Sequence, residues 1–154
     1  MNKLPISTAS PNLNDTMRKF GAPQTIIRSY QYWSVLLRPV QVTLGALVLA
    51  AHEPAKAFSE LSRESFTELH TITGHIETAL KKAFQNDRIN YLMLMMVDPD
   101  VHFHVIPRYA QPRQFADMEF IDAGWPAMPS LGQINNTDAA TNQLIIDHML
   151  TCWP

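Results

Sequence analysis

Residues 100–108 read Asp-Val-His-Phe-His-Val-Ile-Pro-Arg, and this run constrains the fold more than any other part of the chain. Its β-branched and aromatic residues favour a strand, whose successive side chains alternate between two faces. Val101, Phe103 and Val105 then share one face, while Asp100, His102 and His104 share the other. One face suits a hydrophobic core and the other suits chemistry. Pro107 ends the strand.

The surrounding segments supply the partners such a strand needs. Asn14 or Asp15 can cap a short helix through Phe20, which Gly21 stops. Thr25 to Arg38 is rich in β-branched and aromatic residues, and Trp33 to Leu37 within it reads as strand up to Pro39. Leu44 to Ala50 is a second strand, close enough for an antiparallel hairpin.

After Ser62, apolar residues recur every three or four positions from Phe66 to Ala83, which predicts a long amphipathic helix. Ile89 to Val97 is an almost continuous apolar run, expected to be a central strand covered on both faces. Asp98-Pro99 turns into the histidine strand. Asn136-Thr137-Asp138 precedes a final helix near Ala139 to Leu150. The expected fold class is α+β, with an antiparallel sheet of at least four strands, one long helix and a helical C-terminus.

At 154 residues without an internal repeat, the chain reads as one domain over 1–154. Residues 1–24 form an N-terminal extension, loosest in the first ten, and 111–154 a Pro-rich tail with the last helix. A formal net charge of −2 gives no electrostatic reason to expect nucleic acid or an anionic membrane. No apolar run approaches the roughly 20 residues that span a bilayer, and the first residues lack the apolar stretch of a secretory signal. With Cys152 as the only cysteine, the expectation is a soluble protein of a reducing, cytoplasmic compartment.

Three readings of the histidine face follow from its residues. Single strand histidines usually have no role, but two beside an Asp in an apolar strand make that reading costly. Asp100, His102 and His104 could form a two-His-one-carboxylate metal site, although all three would lie on one short strand. A neutral imidazole can also attack phosphorus to form a phosphoramidate, with a second histidine assisting the leaving oxygen.

The segment His102-Phe103-His104-Val105-Ile106-Pro107-Arg108 resembles the signature strand of the histidine triad (HIT) family, which alternates three histidines with apolar residues before Pro-Arg. The order hairpin, helix, strand, histidine strand is similar too, over roughly residues 25–110. His52 falls where family members commonly carry a histidine. The resemblance implies a two-fold homodimer that joins its sheets, and a nucleotide hydrolase without a cofactor or resident metal.

His102 takes the position of the nucleophile that attacks the α-phosphate, and His104 that of the group assisting the leaving oxygen. Asp100 stands where the first histidine of the triad belongs. Asp100 and Arg108 are the candidate substrate contacts. The implied substrates are dinucleoside polyphosphates or nucleoside phosphoramidates. The polar loop usual before the motif is shortened to Val97-Asp98-Pro99, and Gly45-Ala46 stands where many members have Gly-His. These departures keep a nucleotide binder without turnover, or a metal binder using Asp100, His102 and His104, as alternatives.

Overall fold

A computed structural model describes residues 12–154; the first ten residues, expected to be loose, lie outside the described residues. In chain order the elements are α1 (Asp15–Lys19), β1 (Ile26–Ser29), β2 (Trp33–Leu37), β3 (Leu47–Ala51), α2 (Arg63–Phe84), β4 (Arg88–Leu92), β5 (His102–Arg108), β6 (Arg113–Phe115), β7 (Met118–Phe120) and α3 (Ala139–Cys152). Strands β1 to β5 form one antiparallel sheet in the order β1-β2-β3-β5-β4, and β6 pairs with β7 separately. The α+β architecture, the long helix and the C-terminal helix are as the sequence predicts.

Register divides the sheet into two faces. Val35, Leu49 and Phe103 line up across β2, β3 and β5, as do Leu37, Leu47 and Val105. They belong to the main core, where Ile72, Ile76, Ala79, Leu80 and Phe84 of α2 and Ile145, Ile146 and Met149 of α3 join them. Burying each large aliphatic side chain there contributes about 1.5–3 kcal/mol. Ser62 caps α2 by accepting from the Ser65 amide, worth about 1 kcal/mol. Gly45 lets the last turn of α2 close down: its φ is +83°, and a Cβ there would lie 2.9 Å from Phe84.

The opposite face carries Ser34, Ala50 and His102 in one row, and Leu36, Val48, His104 and Leu92 in the next. Helix α1 covers part of it, with Met17 fully buried against Leu36, Val48 and Ala50. Asn14 caps α1 and also donates to the Ala51 carbonyl at 2.9 Å. The supposed N-terminal extension therefore holds part of the second core.

Strand β4 corrects one expectation. It stops at Leu92 and is an edge strand rather than a central one. Met96 is 97% exposed and Val97 79% exposed. A continuous apolar run signals a wish for burial on both sides, but pairing needs a second neighbour that this chain does not bring. The stretch from Thr25 to Arg38 folds as two strands rather than one, turning at residues 30–32, and the tail contains the unforeseen β6–β7 hairpin. No described helix is long and apolar enough to cross a membrane.

Candidate active site

The alternation of β5 places His102 and His104 on the face away from α2, and both are buried, His102 with no exposed surface. The Nδ1 of His102 lies 2.7 Å from the backbone carbonyl of Asp100. A carbonyl only accepts, so Nδ1 carries the proton and Nε2 keeps its lone pair. That Nε2 is buried and, among the described residues, has no hydrogen-bond partner. An unpaired buried acceptor is costly to maintain, and an imidazole nitrogen with a free lone pair has the chemistry of a nucleophile.

His104 packs edge-on against His102, with ring centroids 5.1 Å apart at 79°. Burial, then competition with His102 for a proton and the charges of Arg38 and Lys19, push its imidazole down to about 4 against the pull of Asp98. At neutral pH it is therefore uncharged. Its Nδ1 is also buried and unpaired among the described residues. The backbone amide of Arg38 bonds to the Ala46 carbonyl one row beyond Leu36 on this face, and the Arg38 Nε is likewise buried without a partner. Three unpaired nitrogens thus belong to one sheet face.

Asp100 acts on His102 through its carbonyl, while its carboxylate turns to other partners. Oδ2 accepts from the Thr16 hydroxyl of α1 at 3.0 Å, and Oδ1 pairs with the Lys56 ammonium. Burial alone would raise the Asp100 pKa, but the bonds from Lys56 and Thr16 outweigh it and hold the carboxyl below its ordinary value. Among the described residues, no group of three His, Cys, Asp or Glu side chains could hold a metal ion.

Arg108 is buried on the same face, with its guanidinium bonded on several sides. Nε and Nη2 meet both carboxylate oxygens of Asp122 at 2.7 and 3.2 Å. Nη1 meets the Asn90 side chain at 2.7 Å, and Nη2 also meets the Ala127 carbonyl at 2.9 Å. The charge that sequence reading offered to a phosphate is paired inside the protein, where it ties residues 122–127 to β5.

Helix α1 completes the site. Phe20, its C-cap, packs against both histidines, tilted to His102 with ring centroids 6.0 Å apart and edge-on to His104 at 5.5 Å. Lys19 reaches Asp98 at 2.7 Å. Thr16, Lys19, Phe20, Arg38 and Lys56 were not found by sequence reading. Thr16 and Asp100 are 84 positions apart, and no local pattern links them.

The other singled-out histidines have local partners. His52 Nδ1 meets the Gln31 carbonyl at 3.1 Å, so its Nε2 accepts from Ser34 Oγ at 2.8 Å. Burial lowers its pKa, against the opposing effect of the Gln31 carbonyl. His75 meets the Tyr30 hydroxyl at 2.9 Å, and Trp153 donates to that hydroxyl at 2.9 Å, so Trp153 packs within its own chain.

Comparison with known proteins bears on the fold and the family. The HIT domain family matches residues 26–111. A histidine triad protein of Sinorhizobium meliloti superposes with a TM-score of 0.72 at 19% identity, covering 96% of this chain and 99% of its own. One from Bradyrhizobium japonicum gives 0.65 at 21% identity, covering 94% and 99%. The diadenosine triphosphate hydrolase of Plasmodium falciparum gives 0.52 at 14% identity, covering 58% and 64%. No curated protein matches the chain. With the HIT domain spanning more than half its length, the chain belongs to the histidine triad family.

Proposed function

We propose that this protein is a nucleotidyl hydrolase in which His102 attacks the α-phosphate of a nucleotide. The single observation that carries this reading is the tautomer of His102: Nδ1–H held by the Asp100 carbonyl, Nε2 bare. In the first step Nε2 bonds to phosphorus while the bridging P–O bond breaks, and the leaving phosphate takes the electron pair. In the second step water attacks that phosphorus and gives up a proton to solvent, the P–N bond breaks, and Nε2 regains its lone pair. The Asp100 carbonyl stabilises the positive charge on the imidazole between the steps. His104, neutral and close by, hydrogen-bonds the leaving or bridging oxygen.

Phe20 stands over both rings, so substrate enters when α1 shifts. Asp100 serves that helix through its carboxylate and His102 through its carbonyl. We also propose a two-fold dimer. The unpaired outer edge of β4, followed by exposed Met96 and Val97, supports it.

The test is release of AMP from a diadenosine polyphosphate by the full chain. Turnover in the wild type that falls at least 1,000-fold in His102→Ala and roughly 10- to 1,000-fold in His104→Ala is expected. Binding without release would favour the degenerate binder, and unchanged turnover in His102→Ala would remove His102 as nucleophile.

A further inference from the structure

A cleft of about 620 Å³ opens on the same sheet face, beyond the histidines, lined by Arg88, Asn90, Leu92, Arg108, Trp125 and Met128 among others. Its position follows from register. Leu92 shares a row with His104, Asn90 lies in the next row with Ile106, and Arg88 in the one after with Arg108. The Asn90 row therefore lies four residues along β5 from His102, or about 13 Å.

The wall chemistry suits a particular ligand. Trp33 and Trp153 give their indole N–H groups to the Ser65 carbonyl and the Tyr30 hydroxyl. Among the described residues the Trp125 indole makes no hydrogen bond, and its half-buried ring lines the cleft. Asn90 accepts from Arg108, which leaves its amide NH₂ without a partner among the described residues. Arg108 is neutralised by Asp122, so Arg88 is the cation whose charge remains available. It is exposed, and within the described residues it makes no ion pair. An aromatic face, an amide donor and an exposed guanidinium, bonded only to the neutral Asp87 carbonyl at 3.1 Å, together match a planar heteroaromatic ring carrying an anionic chain.

We propose that the Trp125 cleft is a second ligand subsite, which holds the heteroaromatic ring and adjoining anionic chain of the leaving half of a two-ended nucleotide. This rests on the nucleotidyl hydrolase reading for the identity of the other half. The span of about 13 Å decides the class. A chain of several phosphates reaches the far end of the cleft at Asn90 and Arg88, whereas a single P–N linkage reaches only its near end at Leu92. The arrangement thus selects a dinucleoside polyphosphate over a nucleoside phosphoramidate. Bidentate bonding of Arg108 to Asp122 fixes the loop that presents Trp125.

Two measurements test the subsite. The first is calorimetric titration of the wild-type chain with α,β-methylene-ADP, which cannot be cleaved between its phosphates. Trp125→Ala is expected to weaken binding at least tenfold and Trp125→Phe less than threefold, with Arg88→Gln weakening it and reducing its salt dependence. Equal affinity in wild type, Trp125→Ala and Arg88→Gln overturns the proposal, and the exposed Arg88 guards against a folding artefact.

The second is the ratio of kcat/KM for diadenosine tetraphosphate to that for adenosine phosphoramidate. It should fall at least tenfold in Trp125→Ala; a ratio equal to that of the wild type overturns the proposal. If the wild type turns over neither substrate, the hydrolase reading fails, and the titration alone then decides the cleft.

Discussion

The carboxylate of Asp100 accepts from the Thr16 hydroxyl at 3.0 Å, which joins the start of the histidine strand to the helix that covers it. The backbone carbonyl of the same residue fixes the His102 tautomer. One residue therefore does two separable things, and only one of them needs its side chain.

Asp100→Asn keeps the carbonyl and loses the charge. The variant should lose about 1–3 kcal/mol of stability, since it weakens the bonds to Lys56 and Thr16. Its kcat should fall less than tenfold. Chemical denaturation and steady-state kinetics check both; a kcat loss of 1,000-fold at unchanged stability would mean that the carboxylate acts in the reaction.

The same residue sets part of the pH dependence. Its folded pKa is held below the unfolded value, so its contribution is complete above the ordinary carboxylate range and is lost as pH falls through the folded pKa. Thermal melts between pH 6 and pH 2 should show a smaller acid loss in Asp100→Asn than in the wild type.

His104 acts in a neighbouring window. Its folded pKa of about 4 lies below the 6.5 of an unfolded histidine, so the unfolded chain takes the proton first. Stability is lost as pH falls from about 6.5 to about 4, and no further below that. An imidazole NMR titration should place the His104 midpoint near 4, and His104→Gln should flatten the melting curve in that window. A midpoint near 6.5 would contradict the burial argument.

Phe20→Ala uncovers the histidines. Carbethoxylation of His102 and His104 by diethyl pyrocarbonate, followed by mass spectrometry, should accelerate several-fold. The half-buried side chain makes the loss of stability smaller than the 3–5 kcal/mol typical of a fully buried Phe, at about 1–3 kcal/mol. Equal rates in wild type and variant would show that α1 does not control access.

Asp122→Asn tests where the charge of Arg108 goes. Breaking a pair whose side chains are 5% and 1% exposed should cost about 3–5 kcal/mol, read from denaturant midpoints. An unchanged denaturant midpoint would contradict the pairing of Arg108 with Asp122.

Much of this architecture was legible in residue order. Period-2 alternation set the two faces of β5, three-and-four spacing set α2, and the last helix starts where Asn136-Thr137-Asp138 ends, with Asp138 as its cap. The apolar run after Arg88 misled, because hydrophobicity reports a tendency to be buried and not which neighbour provides the burial. His102 and His104 could be nominated from alternation and resemblance. Phe20, Arg38 and Lys56 could not, since they reach the site through long-range packing. Arg108 shows the reverse: its residue type suggested phosphate, but Asp122, 14 positions on, had already paired it.

The most direct test is to quench the wild-type chain within milliseconds of mixing with a diadenosine polyphosphate, keep it at alkaline pH, and map the adduct by peptide mass spectrometry. One adenylyl group on His102, absent from His102→Ala, is expected. Rapid turnover with no adduct on His102, or an adduct on another residue, would contradict it.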